Sequence, residues 1–216
     1  MDIRAAIADE RRRVADLLDS LEPGQLDKPS LCGEWTVKEV AGHLVAVLAK
    51  PPVPLLPLLP LLARNRFRLH RANAQLAVLT AERPAAELAQ TLRDNADNPF
   101  KPPVVGYAGQ LTDLQVHGQD MRRPLGLDHG LRPDRLLASL EFLTSGRAYG
   151  FAPKRRLAGL RFEASDLDWF SGVGPLIAGP AEALMMAMCG RTAAFSDLGG
   201  PGLRVLDQRL QRRAIA

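Results

Sequence analysis

The sequence predicts a mainly α-helical protein that ends in a small α/β part. Apolar residues recur at intervals of three and four through most of the first 150 residues, which is the spacing of amphipathic helices. Beyond Arg156 the chain becomes rich in glycine and alternates between apolar and polar residues, which is typical of short strands. We therefore predict a helical bundle over residues 1–150 and a small α/β domain over residues 151–216.

The N-terminal segment predicts two helices separated by a loop. Residues 3–21 carry apolar side chains on one face and charges on the other, and Glu22-Pro-Gly ends this helix. A capping box of Thr36 and Glu39 predicts the start of the second helix, because each side chain can accept a hydrogen bond from a backbone N–H of the other residue. The buried face of this helix is marked by Val37, Val40, Leu44 and Leu48. His43 lies at the edge of that face, so we expect it to point inward or into a cleft.

A proline-rich segment follows the second helix. Residues 51–62 contain five prolines, so this apolar run is too broken for a regular helix or a membrane span. It is predicted to form a lid, an oligomer contact or a wall of an apolar pocket, and the sequence leaves these three uses open. Residues 64–79 then predict a third helix with Phe67, Ala74 and Val78 toward the core, and a short helix begins near Pro84.

The second half of the chain predicts two further long helices and then mixed structure. A central helix begins near Tyr107 and ends at the stop signal between Pro124 and Gly126. Pro133 opens the next helix, and the bundle closes near Tyr149. The C-terminal part is predicted to contain two strands within residues 159–180, a helix with core methionines over residues 180–189, and a last short strand within residues 199–206.

Four polar residues of the central helix lie on one face: Gln110, Asp113, His117 and Asp120. Residues four apart on a helix bring their Cβ atoms to about 5–6 Å, so Asp113 and His117 can bind the same metal ion. His43 from a facing helix would supply a third ligand and leave one coordination position open. A hydrogen-bonded core histidine is the alternative for His43. Asp120 is expected either to hold an imidazole or arginine in place or to form a surface ion pair.

Composition and charge argue against several classes of protein. The net charge is +4, but the arginines are interleaved with acids, and two tyrosines and two tryptophans offer little surface for stacking bases. We therefore expect no nucleic-acid partner. The first residues contain Asp2, Arg4 and Asp9 and no apolar run, so we expect a cytoplasmic protein without a membrane anchor. Cys32 and Cys189 are expected to be reduced, buried thiols.

Three segments carry a resemblance to a known family. The segments CGEWTVKEVAGHL, VHGQDMRRPLG, and GLRFEASDLDW with GPAEALMMAMCGR resemble the mycothiol-dependent maleylpyruvate isomerase family, within the DinB-like superfamily. The first two motifs are fairly specific, whereas the third pattern is shared by many actinobacterial relatives. The resemblance implies a DinB-like four-helix bundle that holds a divalent metal, usually zinc, and it implies mycothiol as a thiol cosubstrate.

The resemblance also assigns individual residues. The family's histidine in the tryptophan–threonine helix corresponds to His43, and its carboxylate and histidine four residues apart correspond to Asp113 and His117. Members with isomerase activity have glutamate where this chain has Asp113, so the carboxylate here is one methylene shorter. The resemblance further implies a functional arginine in the C-terminal part, for which Arg191 is the candidate. A structural role for Arg191 at a helix end is the alternative.

A metal with three protein ligands and an open position could bind a thiol and lower its pKa. Addition of the thiolate to an activated double bond would permit isomerisation, whereas displacement of a leaving group would be S-transfer. We therefore predict a metal-dependent, mycothiol-linked enzyme that acts on a small electrophilic substrate, as a monomer or homodimer. Two alternatives remain: a DinB-like metal-binding or oligomerisation module without catalysis, and a cytosolic metal-dependent hydrolase with Asp120 as general base.

Overall fold

The structure, a computed structural model, describes residues 1–48 and 69–214, with side chains described for residues 1–48 and 73–211. The proline-rich segment 51–62 and the predicted helical residues 64–68 lie outside the described residues. The chain divides into two compact units. We call residues 2–100 and 117–129 the N-terminal unit, and residues 101–116 and 130–216, with Met1, the C-terminal unit. The division into domains of residues 1–150 and 151–216 stays a prediction.

The N-terminal unit contains the helices α1 (Ile3–Ser20), α2 (Pro23–Leu26), α3 (Val37–Ala46), α4 (Leu69–Ala81) and α5 (Ala85–Asp94). Helix α6 (Gly106–Arg122) contributes residues 117–122 to this unit, and a short 3-10 helix (Arg123–Leu125) follows it. Gly126, with φ of 66°, terminates this segment in a left-handed conformation, as the predicted stop signal requires. Among the described helices, none has the length and apolarity that crossing a bilayer demands.

Helix α1 packs against α5, and α3 packs against α4 and α5. The core of this unit is formed by Val14, Leu18, Val40, Leu44, Leu88 and Leu92. Gly42 of α3 faces the backbone of α4, where a Cβ would collide with the carbonyl oxygen of Ala77. The expectation that Val78 faces the core was wrong, since Val78 is 40% exposed. Ala77 and Ala81 are buried there instead, because only small side chains fit against Gly42.

A buried arginine ties α1 to the segment that follows α5. Arg11 is 1% exposed and donates hydrogen bonds to the carbonyl oxygens of Asn95, Ala96 and Asn98 at 2.9, 2.8 and 3.1 Å. Burial lowers the pKa of Arg11, although the Asp97 carboxylate acts in the opposite direction. The guanidinium thus satisfies three backbone acceptors at the end of a helix, where no intrahelical donor remains.

The C-terminal unit contains the rest of α6 and the helices α7 (Pro133–Thr144), α8 (Lys154–Leu157), α9 (Ala181–Met188) and α10 (Gly202–Ala214). It also contains a 3-10 helix (Thr192–Asp197) and the strands β1 (Arg161–Ala164), β2 (Phe170–Gly172) and β3 (Leu176–Gly179). The strand order is β2-β1-β3, with β1 antiparallel to β2 and parallel to β3. Phe162 of β1 and Ile177 of β3 are paired and buried.

Helix α9 packs against α7 and against the strands β1 and β3. Met185, Met186 and Met188 are all buried, so the prediction that these methionines belong to a core is confirmed. The described strands all lie beyond Arg156, as predicted, but there are three rather than two in residues 159–180. The predicted strand within residues 199–206 was wrong. Only an isolated bridge from Gly199 to Ala178 forms, and Leu203, Leu206 and Leu210 have the spacing of the helix α10 that lies there.

Candidate metal centre

Three aromatic rings come together in the N-terminal unit. The ring centroids of His43 on α3 and His117 on α6 are 4.8 Å apart, at an interplanar angle of 68°. The Trp35 ring lies 5.3 Å from His43 and 6.5 Å from His117. Since His43 faces His117, it is not an isolated histidine among apolar core neighbours. The structure thus places two of the predicted metal ligands next to each other.

Local sequence explains how His43 is positioned on α3. Thr36 caps α3: its hydroxyl accepts the Glu39 N–H at 3.2 Å, and the Glu39 carboxylate accepts the Thr36 N–H at 2.7 Å. The predicted capping box is therefore present, and it fixes the residue at which α3 begins. His43 lies two turns further along the helix, next to the buried residues Val40 and Leu44, as the predicted register requires.

The loop before α3 is held by backbone hydrogen bonds. The Ser30 N–H donates to the Trp35 carbonyl at 2.8 Å, and the Trp35 N–H donates to the Cys32 carbonyl at 3.2 Å. Gly33, with φ of 62°, makes the turn between them in a conformation that favours glycine. The Leu31 N–H donates to the Asp120 carbonyl at 3.0 Å, which fixes this loop beside α6.

His117 and Asp120 form a buried pair on α6. The His117 Nδ1 lies 2.9 Å from a carboxylate oxygen of Asp120, whose side chain is completely buried. An ionised carboxylate only accepts hydrogen bonds, so this contact favours the tautomer with the proton on Nδ1 and the lone pair on Nε2. Metal-binding histidines commonly have such a carboxylate partner. Asp120 therefore orients an imidazole and is not a surface ion pair.

Asp113 lies one turn before His117 on the same helix and is partly exposed. One of its carboxylate oxygens lies within 4.8 Å of a ring nitrogen of His117, and a ring nitrogen of His43 also lies within 4.8 Å of His117. Gln110, the first residue of the predicted polar stripe, is buried. His117 therefore has a potential ligand on its own helix and another on α3.

Cys32 also lies beside this centre, which the sequence did not indicate. Its sulfur is within 4.8 Å of a ligand atom of His117 and of Asp120. Cys32 is half-buried rather than buried, whereas Cys189 in the C-terminal unit is buried as expected. The only signal in the sequence is that Cys32 comes four residues before the capping residue Thr36, and this spacing does not reveal which helix the thiol faces.

A cleft of about 560 Å³ opens next to the ring cluster. Its walls within the N-terminal unit are formed by Cys32, Gly33, Glu34, Trp35, Glu39, Ala74, Gln75 and Val78. Trp35 and Cys32 therefore border both the cleft and the candidate centre. The cleft combines an apolar indole with carboxylate and amide groups, which suits a small molecule with both polar and apolar parts.

Two arginines need separate description: Arg191, to which the family resemblance assigns a function, and Arg122, which lies two residues after Asp120. Arg191 donates a hydrogen bond to the carbonyl oxygen of Cys189 at 3.1 Å, next to the end of α9 in the C-terminal unit. Arg122 follows Asp120 on α6, and burial lowers its pKa, with a further lowering from the charge of Arg13. The carboxylates of Glu10 and Asp128 partly offset this effect. The role assigned to Arg191 by resemblance stays a prediction.

Helices α3 and α6, with His43 and His117 facing each other, define a candidate metal-binding domain of mainly helical architecture. Residues 7–50 match the family model described as the mycothiol maleylpyruvate isomerase N-terminal domain. This match confirms the family that the motifs indicate, over the segment that contains Trp35, Thr36 and His43. No curated protein and no solved structure matches the chain.

Proposed function

We propose that this protein is a metal-dependent enzyme that uses mycothiol, or a similar low-molecular-weight thiol, to act on a small electrophilic substrate. His43, Asp113 and His117 would bind the metal, for which zinc is the first candidate. Asp120 would orient His117 through their hydrogen bond. We further propose that the helices form a DinB-like four-helix bundle within residues 1–150, and that residues 151–216 form a separate small domain.

The observation that carries this proposal is the contact between His43 and His117. The two residues are far apart in sequence, and their rings nevertheless lie 4.8 Å apart between centroids. His117 is additionally held by a buried carboxylate at 2.9 Å. Two adjacent imidazoles, one oriented by a carboxylate, are a recurrent arrangement at metal sites, and α3 lies in the segment that matches the family model.

The donor set suits a divalent cation. Two imidazole nitrogens and one carboxylate oxygen are ligands that zinc accepts, at about 2.0–2.2 Å each. Asp113 is partly exposed and lies four residues before His117 on the same helix, so its carboxylate can reach an ion bound by that ring. Three protein ligands would leave a position for an exogenous ligand, which is the arrangement of catalytic rather than structural zinc sites.

A divalent cation bound there would lower the pKa of a coordinating thiol and so supply a thiolate nucleophile at neutral pH. The protein side chains would orient the ligands and contact the thiol cosubstrate. Asp120 keeps the proton on Nδ1 of His117, and Trp35 covers one side of the two histidines. The adjacent cleft offers a thiol cosubstrate apolar contact at Trp35 and hydrogen-bond acceptors at Glu34 and Gln75.

The thiolate would react with the substrate in one of two ways. Addition to an activated double bond, rotation and elimination return the thiol and give the isomer, which is the reaction in the family's name. Displacement of a leaving group would instead leave the thiol attached to the product. We propose isomerisation first, with S-transfer as the related alternative, and we keep Arg191 as the functional arginine that the family resemblance implies.

The test begins with metal binding by the full-length protein. We expect one equivalent of zinc to bind, as measured by calorimetry, and His43→Ala to weaken the affinity by at least about tenfold. His129→Ala is the matched control, because His129 is exposed and lies outside the ring cluster. Equal zinc affinity in His43→Ala and His129→Ala would refute the proposed ligand set.

Turnover then separates the reaction classes. Isomerisation of maleylpyruvate is measured with the zinc-loaded protein in the presence and absence of mycothiol. We expect turnover only with the thiol, whereas a metal-dependent hydrolase would cleave its substrates without one. Tight zinc binding without any thiol-dependent reaction on maleylpyruvate or other small electrophiles would indicate a non-catalytic metal-binding module.

A further inference from the structure

A second group of potential metal ligands shares His117 with the proposed centre. The sulfur of Cys32, a ring nitrogen of His117 and a carboxylate oxygen of Asp120 lie within 4.8 Å of one another. We propose that Cys32, His117 and Asp120 form a second ligand set that binds a thiophilic divalent cation through the Cys32 thiolate. This inference rests on the proposed function, because His117 serves both sets. An ion in the second set would replace the Nδ1 proton of His117 that Asp120 otherwise accepts, so the two sets are alternatives and one is occupied at a time.

The backbone holds the three residues of the second set together. The Leu31 N–H donates to the Asp120 carbonyl at 3.0 Å, so the residue before Cys32 is attached directly to the turn of α6 that carries Asp120. The Cys32 N–H donates to the Ser30 hydroxyl at 3.0 Å. These bonds hold the Cys32 backbone beside the turn of α6 that carries Asp120.

The three side chains of the second set differ in their exposure to solvent. The Asp120 side chain is completely buried, the His117 side chain is 11% exposed, and Cys32 is half-buried on the wall of the cleft. An ion could therefore reach the thiol from the cleft, while the other two ligands stay shielded from water. Shielding from water strengthens charge–ligand attraction and is typical of bound-metal sites.

The two ligand sets differ in chemical softness. The first set offers two nitrogens and an oxygen, whereas the second offers a sulfur, a nitrogen and an oxygen. Thiolates select soft or borderline ions such as Cd²⁺ and Zn²⁺, and carboxylates favour hard ions such as Mn²⁺. We therefore expect Cys32 to matter for Cd²⁺ binding and not for Mn²⁺ binding. A low-molecular-weight thiol would compete with Cys32 for the soft ion.

Cadmium titration of the metal-free, full-length protein tests this inference. Wild type should develop the ultraviolet absorption of a cadmium–thiolate bond, with saturation at one equivalent. Cys32→Ser should lose this absorption and bind Cd²⁺ about tenfold or more weakly, while its Mn²⁺ affinity stays within about twofold of wild type. Cys189→Ser is the matched control and should behave as wild type, because Cys189 lies in the other unit.

A measurement on wild type avoids any folding defect of the variant. Alkylation of Cys32 by iodoacetamide, followed by peptide mass spectrometry, should be slowed by Cd²⁺ and not by Mn²⁺, with Cys189 as internal reference. Cadmium binding without thiolate absorption and without protection of Cys32 would overturn this inference and leave the proposed function intact. Absorption that persists in Cys32→Ser would also overturn it. Failure to bind Cd²⁺, Zn²⁺ and Mn²⁺ would overturn both proposals.

Discussion

The Nδ1 of His117 lies 2.9 Å from a carboxylate oxygen of Asp120, which is on the same helix and whose side chain is completely buried. Because the two residues are three apart on α6, local helical geometry brings their side chains close together. A buried carboxylate without a hydrogen-bond donor would be costly, so the contact with His117 stabilises the buried Asp120 side chain. His117 is thereby oriented before any ligand binds.

Asp120→Asn is predicted to weaken metal binding without unfolding the protein. The amide has nearly the same shape as the carboxylate, but it is neutral and can donate a hydrogen bond to Nδ1, which would move the imidazole proton to Nε2. Loss of such a partner typically costs about 10–100-fold in metal affinity. Zinc affinity by calorimetry and circular dichroism spectra check both parts of the prediction.

Asp128→Asn is the control for Asp120→Asn. Asp128 is exposed and lies outside both groups of potential ligands, so its zinc affinity should equal that of wild type. If Asp120→Asn binds zinc as tightly as Asp128→Asn does, the buried carboxylate has a purely structural role.

Gly42→Ala is predicted to destabilise the N-terminal unit and to disturb His43, its neighbour on α3. A Cβ at this position would collide with the Ala77 carbonyl oxygen, so α3 and α4 would have to move apart. Overpacking of this kind costs about 1–3 kcal/mol of unfolding free energy. Urea unfolding measures the effect, and we expect zinc affinity to fall as well.

Gly24→Ala provides the matched control, since no atom lies within 4 Å of a Cβ at that helical position. We expect it to be neutral or to stabilise by up to about 1 kcal/mol, because alanine favours helix more than glycine does. Equal effects of the two substitutions would show that the close approach of α3 and α4 does not limit stability.

Local signals in the sequence account for much of the candidate site. The capping box at Thr36 fixes where α3 begins and hence which face carries His43. The spacing of His117 and Asp120 along one helix makes their contact predictable once that helix is recognised. The family resemblance then links His43 to His117, and the observed ring contact is consistent with it.

Features that depend on long-range packing were not predictable in the same way. Cys32 lies close to His117 because the N–H of the preceding residue, Leu31, donates a hydrogen bond to the Asp120 carbonyl. No local sequence pattern predicts this bond. The predicted strand over residues 199–206 was wrong because Gly199, Gly200 and Pro201 are residue types that also bound short strands. The buried Leu206 instead belongs to the apolar face of a helix that continues to Ala214.

A fragment of residues 1–150 is predicted to retain helical structure but to melt at a lower temperature than the full chain. Helix α7 packs against α9 in the full chain, so truncation would expose part of the buried face of α7, which carries Leu136, Leu140 and Leu143. Each exposed leucine forfeits roughly 1.5–3 kcal/mol of burial. Far-ultraviolet circular dichroism and a thermal melt test this prediction, and complete loss of helical signal would mean that the boundary at residue 150 is wrong.

Asp113→Glu is predicted to preserve or raise zinc affinity, whereas Asp113→Ala should lower it by at least about tenfold. Glutamate restores the carboxylate length that the family resemblance implies, and the partial exposure of Asp113 leaves room for one more methylene. Both replacements have better helix propensity than aspartate, so weaker binding by the alanine variant could not be attributed to an unstable α6.

A packing role for Asp113 would give the opposite pattern, in which glutamate strains the helix contacts and alanine is tolerated. Calorimetric titration with zinc and parallel thermal melts separate the two cases, and wild-type affinity in Asp113→Ala would remove this residue from the proposed ligand set.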